Sequence, residues 1–419
     1  MDIDVAYTES PNWNEEKMLE RFAWLREKDP VRWSEKDQLW LIANFEDVVY
    51  VSKHQETFTS AEGVRPTIPI KIGLIDEEEP RHGELRTLIN RGFTPRMVKK
   101  LEETFRRLTT KAIDAVAADG QCDFVSSISV PLPLWIIAAM IGIPEEDYDR
   151  FHSWSDAMIG AEGNLDNPEV TAAGGRAYVE YGNYVHPILD DRRKNPQDDL
   201  ASILVGAKED GLLRRYDENH WPNGRPIHVT DDHIELGNDE LIKLMVILLV
   251  AGNETTRNAI SGGMQLLIEN PQERDKLIAD PSLIKGACEE MVRLVSPVRS
   301  FSRTVVHDTE LRGRKLLAGQ KVLMLYPSAN RDTAEFEDPD TFRVDRNQSH
   351  VGFGLGNHFC LGANLARMEM RIVFQEVLRR LPDMEYLAGG PTLRASALVR
   401  TCESMLVRYT PERRAEDAA

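Results

Sequence analysis

Cysteine is scarce in this sequence, with four residues in 419 that are widely scattered. Cys122, Cys288, Cys360 and Cys402 form no C-x-x-C pair, which argues against a structural zinc site, and they do not suggest a disulfide framework. Such cysteine usage is typical of a reducing compartment, so we expect a cytoplasmic protein. Basic residues are also outnumbered by acidic ones. There are 51 Lys and Arg against 69 Asp and Glu, and the net charge of −18 argues against a nucleic-acid partner.

Long apolar runs and linkers are missing as well. The chain begins Met1-Asp2-Ile3-Asp4, which is acidic and polar, so we expect neither a signal peptide nor a membrane anchor. The longest apolar stretch, 130–142, is interrupted by proline and too short to span a bilayer, and we interpret it as a buried helix. With 42% hydrophobic residues and no repeat or low-complexity segment, residues 1–419 are expected to form a single domain.

Hydrophobic periodicity predicts a mainly α chain with a minor β-sheet region. Helices are expected at 45–53, 81–90, 98–118, 175–193 and 239–269. Short strands are expected at 39–42, 302–306 and 321–326. The segment 330–351 is rich in Asp, Pro, Asn and Arg and predicts irregular coil. The polar segment 211–238 is longer than a normal connection to the helix that follows, so we expect a surface insertion there.

The most informative segment is Phe353-Gly354-Leu355-Gly356-Asn357-His358-Phe359-Cys360-Leu361-Gly362, directly before a run of helix-forming residues. Cys360 is expected just before a helix N-terminus, where unpaired backbone N–H groups and the helix dipole favour a thiolate. These residues alone allow a buried core thiol, part of a phosphate-binding loop, a zinc ligand together with His358, or an axial ligand of haem iron. The loop lacks the last glycine of G-x-G-x-x-G, and zinc lacks further ligands nearby in the sequence, which favours haem.

Residues Phe353 to Gly362 match F-x-x-G-x-[RH]-x-C-x-G, the haem-binding motif of the cytochrome P450 family, at every fixed position. Three further segments resemble the family in the same order along the chain. They are 250–256 (Val-Ala-Gly-Asn-Glu-Thr-Thr), the E-x-x-R motif at Glu290 and Arg293, and Pro339-Asp340-Thr341-Phe342 followed by Arg346. The resemblance implies the cytochrome P450 fold, with a long central helix over haem b (iron protoporphyrin IX) and Cys360 as the axial ligand of the iron.

The resemblance also implies roles for individual residues. Thr255 is expected to be the hydroxyl on the oxygen-binding side, and Glu254 the acid of a proton relay. Glu290, Arg293 and Arg346 are expected to form an ion-pair triad that supports the cysteine loop and takes no part in the reaction. The other residues expected to contact haem are the propionate partners His82, Arg86, Arg303 and His358, the helix residue Ala251, and Phe353, Gly354 and Gly362 of the cysteine loop.

The expected substrate pocket is apolar. Its lining is expected to include Ile247 and Leu248 of the central helix, and Val298 and Phe301 at the start of a strand, below a loop at 59–79. Such a lining predicts a hydrophobic substrate. The segments 251–258 and 296–298 resemble actinobacterial members of the family that oxidise sterols, terpenoids or branched lipids. Arg299 either points to solvent, because a buried unpaired charge is unfavourable, or binds the carboxylate of a small acidic substrate.

The resemblance implies a monooxygenase that inserts one atom of O2 into a C–H bond of a hydrophobic small molecule. No flavin-binding or ferredoxin-like segment is recognisable in the chain, so electrons are expected from a ferredoxin and its ferredoxin reductase. The alternative is a haem-thiolate binding or sensor protein without turnover. The Glu254-Thr255 pair favours the enzyme, because a binding protein needs no proton relay.

Overall fold

The computed structural model describes residues 2–66, 73–93, 95–162, 167–207, 211–217 and 227–412. Helices dominate these residues, which confirms the expected mainly α class. The helices are α1 (Glu15–Lys28), α2 (Phe45–Lys53), α3 (Arg81–Asn90), α4 (Pro95–Asp114), α5 (Pro131–Ile141), α6 (Tyr148–Glu162), α7 (Pro168–Lys194), α8 (Leu200–Val205), α9 (Asn238–Glu269), α10 (Pro271–Ala279), α11 (Ile284–Val295), α12 (Tyr326–Ala329) and α13 (Ala363–Arg380).

The strands are short and form one mixed sheet and several small antiparallel ones. They are β1 (Val31–Ser34), β2 (Leu39–Ile42), β3 (Phe58–Thr59), β4 (Gln121–Asp123), β5 (Arg214–Asp217), β6 (Ile227–His233), β7 (Ser300–Val305), β8 (Thr309–Leu311), β9 (Arg314–Leu316), β10 (Lys321–Leu325), β11 (Glu385–Tyr386), β12 (Thr392–Arg394), β13 (Thr401–Ser404) and β14 (Leu406–Arg408). The mixed sheet has the order β1-β2-β10-β7-β3, in which β10 pairs in parallel with β2 and antiparallel with β7. The others are β11-β14-β4, β12-β13, β5-β6 and β8-β9.

Helix α9 runs through the middle of the molecule and organises the rest. It has 32 residues, which corresponds to about 48 Å at 1.5 Å per residue. It packs against α5, α6, α7, α11 and α13. Two glycines permit the closest of these contacts, because a Cβ at Gly262 or Gly263 lies 2.7 Å from a side-chain atom of α11 or α13, respectively. In the central turns of α9, residues 253, 254 and 256–258 are buried.

Several predicted elements agree with the structure, and others differ in their bounds: the helix predicted at 98–118 is α4 (Pro95–Asp114), and the helix predicted at 175–193 is α7 (Pro168–Lys194). Helix α3, helix α2 and strand β2 have the expected bounds, and 330–351 contains neither helix nor strand. The segment 211–238 is predicted to be a surface insertion, and its described part contains β5 and β6, which pair antiparallel. Its residues 218–226, like residues 67–72 of the predicted pocket loop, lie outside the described residues. In the described ranges, no helix combines the length and the apolar character needed to cross a bilayer.

Candidate functional site

The cysteine loop, residues 353–362, is folded tightly by its glycines and by a backbone hydrogen bond. Gly354 and Gly356 have φ angles of 67° and 68°, a left-handed conformation that favours glycine. The backbone N–H of Cys360 donates to the carbonyl oxygen of Phe353 at 2.8 Å and closes the loop on itself. Helix α13 begins at Ala363, so the thiol lies just before a helix N-terminus.

Cys360 faces a cavity of about 250 Å³. Cys360 lies deep inside the protein, but part of its surface remains accessible because it borders this cavity. Burial raises the pKa of the Cys360 thiol, whereas the backbone N–H of Gly362 and the charges of Arg86 and Arg367 lower it. The sequence argument from the helix N-terminus was therefore incomplete, because desolvation outweighs the loop amide. A thiolate at this position is stabilised when a metal cation binds the sulfur.

Helix α9 supplies the facing wall of the same cavity. Ala251 and Thr255 line the cavity together with Cys360. The Thr255 hydroxyl donates to the Ala251 carbonyl oxygen at 2.7 Å, one turn earlier in an unbroken helix. The lone pairs of this hydroxyl therefore remain available to accept a hydrogen bond. The structure thus brings the predicted hydroxyl and the predicted thiol to one cavity.

Glu254 is buried beside Thr255 and held by two neighbours on α9. Its Oε1 accepts from Arg257 Nη2 at 2.7 Å and from Asn258 Nδ2 at 3.0 Å, while Oε2 has no hydrogen-bond partner in the described part of the chain. Arg257 also donates to Asp156 of α6 at 2.9 Å. Burial raises the pKa of Glu254, and Arg257 opposes that shift. Sequence reasoning selected Glu254 and missed Arg257, although their i, i+3 spacing on one helix was a visible signal.

The basic residues expected to meet the haem propionates all line the Cys360 cavity: His82, Arg86, Arg303 and His358. The ring centroids of His82 and His358 are 4.3 Å apart. Burial and the nearby Arg303, His82 and Arg86 lower the pKa of His358 to about 2, so its ring is neutral at neutral pH. Arg86 donates to the carbonyl oxygens of Asn357 (3.3 Å) and Phe359 (2.6 Å) and therefore also supports the cysteine loop.

The side chains of this cavity fit haem. Arg303 is buried and donates to the Ser302 carbonyl oxygen at 2.8 Å, and no carboxylate oxygen of the described residues lies within 4.0 Å of its guanidinium nitrogens. A buried guanidinium without a counter-charge is unfavourable, so the cavity suits a ligand that brings carboxylates, as the haem propionates do. For zinc, by contrast, the described ranges contain no group of three or more His, Cys, Asp or Glu placed to hold a metal ion.

The predicted ion-pair triad is assembled and buried. Glu290 accepts from Arg293 Nε at 2.6 Å and from Arg346 Nε at 3.0 Å. Arg293 Nη1 also donates to the carbonyl oxygens of Asn330 and Pro339, both at 2.7 Å. The triad therefore joins α11 to the irregular coil that leads into the cysteine loop.

A second cavity, of about 400 Å³, adjoins the first and shares lining residues with it. Ile247, Val298 and Phe301 line both cavities, and Leu248 lines the smaller one. Thr255 and Ala251 also line both, so the larger cavity opens directly beside the predicted oxygen-side hydroxyl. The expected pocket residues are therefore brought together, with one exception.

The exception is Arg299, whose expected position was wrong. Arg299 is buried, but it lines neither cavity. Its Nη1 donates to the Trp13 carbonyl oxygen at 3.1 Å, and its guanidinium carbon lies 5.8 Å from the centroid of the Trp13 ring. Burial lowers the pKa of Arg299 to about 10, and the charge of Glu15 opposes that shift. The N-terminal segment covers this side chain, so it points neither to solvent nor to a substrate.

Comparison with known proteins agrees with this geometry. A model of the Cytochrome P450 family matches residues 180–382. A steroid C26-monooxygenase of Mycolicibacterium smegmatis is 36% identical over 94% of this chain and 92% of its own length. A methyl-branched lipid omega-hydroxylase of Mycobacterium tuberculosis is 38% identical over 82% of this chain and 78% of its own length. A Mycobacterium marinum cytochrome P450 solved in complex with pseudoionone superposes with a TM-score of 0.85 at 32% identity, covering 98% of this chain and 99% of that structure. Because similarity of sequence and of fold extends over nearly the whole chain, the protein belongs to the cytochrome P450 family of haem-thiolate monooxygenases, oxidoreductases that incorporate one atom of O2 into a substrate.

Proposed function

We propose that Cys360 is the axial ligand of haem b and that the protein hydroxylates a hydrophobic small molecule bound in the larger cavity. The observation that carries this proposal is the shared lining: Cys360 and Thr255 border one cavity, and the larger apolar cavity adjoins it at Thr255. Haem held by a thiolate supplies the O2 activation needed to oxidise a C–H bond.

The residues around Cys360 hold the haem and exclude water from the sulfur. Phe353 lines the cavity close to the thiol, and the guanidinium carbon of Arg367 lies 4.6 Å from the centroid of its ring. Gly354 adopts the left-handed φ of 67° that the tight loop requires. The backbone N–H of Gly362 lowers the pKa of the Cys360 thiol, so the loop tunes the basicity of the thiolate. His82, Arg86, Arg303 and His358 supply the donors for the two propionates.

Thr255 and Glu254 hold the protons that the reaction consumes. The Thr255 O–H donates to Ala251 at rest, and a rotation about χ1 points it into the cavity. Burial raises the pKa of Glu254, so this carboxyl retains a proton more readily than an exposed one does. Arg257 and Asn258 fix its Oε1, which leaves Oε2 as the atom that exchanges a proton.

The substrate class follows from the apolar walls of the larger cavity. Between the reaction end and its far end the cavity is lined by aliphatic side chains of α9, namely Val246, Ile247 and Val250. Two of the relatives are named for oxidation of a steroid and of a methyl-branched lipid. We infer that this protein acts on a sterol, terpenoid or branched lipid, with electrons from a ferredoxin and its reductase.

The carbon monoxide difference spectrum of the reduced protein tests the role of Cys360. The wild type is expected to show the band of a thiolate-bound haem, and Cys360→Ser is expected to lose it. Cys122→Ser is the matched control, because it removes another half-buried free thiol and leaves the cavity intact. A wild type without the band, or a Cys360→Ser variant that keeps it, contradicts the assignment.

Turnover with a ferredoxin, its reductase and a steroid or branched lipid tests the proton relay. Thr255→Ala is expected to lower product formation on the order of 100-fold, because a positioned proton donor contributes at least that much. Thr255→Ser retains the hydroxyl and is expected to keep most of the product yield. Equal yields from the Ala and Ser variants remove Thr255 from the relay.

A further inference from the structure

The larger cavity is apolar along its length but contains several cationic side chains. Arg65, Lys243 and Arg394 line it, and Glu254 is the only carboxylate in its described lining. Glu254 is already paired with Arg257, so its negative charge is largely compensated. Lys243 and Arg394 therefore give this cavity positive charge in a chain whose formal net charge is −18. A cleft lined by one sign of charge concentrates ligands of the opposite sign.

Lys243 lies on the cavity-facing side of α9, away from the reaction end. Lys243, Val246, Ile247, Val250 and Ala251 follow an i, i+3, i+4, i+7, i+8 pattern, which places them on one helix face. Eight residues separate Lys243 from Ala251, which corresponds to about 12 Å along the helix axis. The cavity therefore has a cation, then an aliphatic stretch, and then Thr255 beside the haem-binding cavity.

The charges of Lys243 and Arg394 are not taken up by strong ion pairs. Lys243 is exposed, and no carboxylate oxygen of the residues the structure describes lies within 4.0 Å of its Nζ. Arg394 Nη1 lies 3.6 Å from Glu403 Oε1, and both side chains are about two-fifths exposed or more. An exposed pair at that distance contributes little, so Arg394 is available to a ligand. The two cations come from different elements, α9 and β12, and border one cavity.

From this arrangement we propose that the substrate is a hydrophobic carboxylic acid. Its carboxylate binds Lys243, and its apolar body extends along α9 toward Thr255. The carbon that is oxidised is then about 12 Å or more from the carboxylate, given the rise of 1.5 Å per helical residue. The inference rests on the proposed function and narrows its substrate class from hydrophobic molecules to amphipathic anionic ones.

Matched acids and esters test this in the haem-loaded protein. The probes are a methyl-branched long-chain fatty acid and a steroid bearing a side-chain carboxylate, each with its methyl ester, and dissociation constants come from spectral titration. In the wild type each acid is expected to bind at least tenfold more tightly than its ester. Lys243→Gln is expected to weaken acid binding three- to tenfold and to leave ester binding within twofold. Lys285→Gln is the matched control, because it removes an exposed lysine charge from α11, which does not line this cavity.

The dependence of binding on salt concentration is a second test of the ion pair, because a purely structural effect of the substitutions does not produce it. Raising NaCl from 50 to 500 mM is expected to weaken binding of the acids and not of the esters, because screening acts on the ion pair alone. Equal affinities of acid and ester in the wild type overturn the proposal, as does a Lys243→Gln variant with an unchanged acid-to-ester ratio. Failure of all four probes to bind, in protein with the carbon monoxide band of bound thiolate, also overturns it. The carbon monoxide band and oxidation of the neutral esters test the proposed function separately, so the two failures are distinguishable.

Discussion

Glu290→Gln tests how strongly the buried ion-pair triad holds the cysteine loop. In the wild type, Glu290 Oε2 accepts from Arg293 Nε at 2.6 Å, and Oε1 accepts from Arg293 Nη2 at 2.7 Å and from Arg346 Nε at 3.0 Å. Glutamine keeps the shape of the side chain but removes its charge and offers one acceptor in place of two. Two buried guanidinium groups then lose their counter-charge.

The expected loss of stability is about 3–5 kcal/mol, the usual effect of removing one partner from a buried ion pair. The upper part of that range applies, because Arg293 is fully buried and one carboxylate serves both arginines. Arg346 also donates to the carbonyl oxygens of Glu337 (2.9 Å) and Asp338 (3.2 Å). A displaced Arg346 therefore loosens the coil before Cys360, and the haem content per polypeptide is expected to fall as well.

Urea titration gives the free energy of unfolding, and absorbance at the haem band relative to protein gives the haem content. Asp190→Asn is the matched control, because Asp190 pairs with Arg193 at the same i, i+3 spacing but with side chains 52% and 31% exposed. That variant is expected to lose only about 0.2–1 kcal/mol and to keep its haem. A Glu290→Gln protein within 1 kcal/mol of this control, with full haem content, would refute the reasoning.

Three further substitutions have defined outcomes. Gly356→Ala is expected to reduce stability by about 1–2 kcal/mol through its left-handed φ alone, and by more because the added Cβ lies 2.5 Å from the Ser52 carbonyl oxygen. Urea titration against Gly319→Ala, where φ is 85° and the added Cβ has no neighbour within 4 Å, separates the two effects. Burial raises the pKa of Glu369 well above its ordinary value of 4.5, so the folded state retains a proton that the unfolded state releases, and stability falls as pH rises from 4.5 toward the folded-state pKa. The contribution of Glu369 to this pH dependence is at most about 1.4 kcal/mol per pH unit. Glu369→Gln is expected to remove that contribution, and identical slopes of stability against pH in the two proteins contradict a raised pKa for Glu369. Arg299→Ala is expected to leave substrate affinity within twofold and to lower the free energy of unfolding by about 2 kcal/mol, because a charged hydrogen bond is lost. If substrate affinity falls while stability is unchanged, Arg299 contacts the substrate after all.

Sequence patterns predicted the helices and strands whose bounds depend on interactions between residues close together in the chain. The bounds of α3 and β2 follow from apolar periodicity and from flanking residues that break structure. Helix α7 begins seven residues earlier than expected, at Pro168, because Asn167 caps it by accepting from the backbone N–H of Glu169 at 3.1 Å. Gly174 lies inside that helix and made the helix start hard to recognise, because glycine is unfavourable in a helix. Packing explains this glycine, since a Cβ at Gly174 meets Ala161 of α6. Such a tertiary reason cannot be seen in one sequence.

The pairing of β5 with β6 was missed for a similar reason. The two strands are joined through residues outside the described ranges and consist largely of charged and polar residues, so they lack the alternation of apolar side chains that indicates a strand. The backbone hydrogen bonds between β5 and β6 define the two strands. The sequence therefore did not predict that this segment contains two paired strands.

The cysteine side of the site could be predicted in detail and the α9 side only in part, because different interactions build them. The loop around Cys360 requires particular residues at particular positions, since φ angles of 67° and 68° at Gly354 and Gly356 favour glycine. Glu254 and Thr255 lie on an ordinary helix, and what fixes Glu254 includes a contact of Arg257 with Asp156, 101 residues earlier in the chain. Spacing along the sequence does not reveal a contact of that separation.

The same distinction explains why the substrate was the least predictable part of the site. The wall around Cys360 is formed by one continuous loop, whereas the large cavity takes its charged lining from separate elements: Lys243 from α9, Arg394 from β12, and Arg65 from the chain after β3. None of these three residues lies in a motif. The one arginine that the sequence suggested for the substrate pocket, Arg299, packs on Trp13 instead. A motif search therefore identifies the oxidising half of a cytochrome P450, while substrate preference depends on which distant side chains the fold brings to the cavity. A substitution at Lys243 should consequently change what is bound without changing the spectrum of the bound carbon monoxide complex.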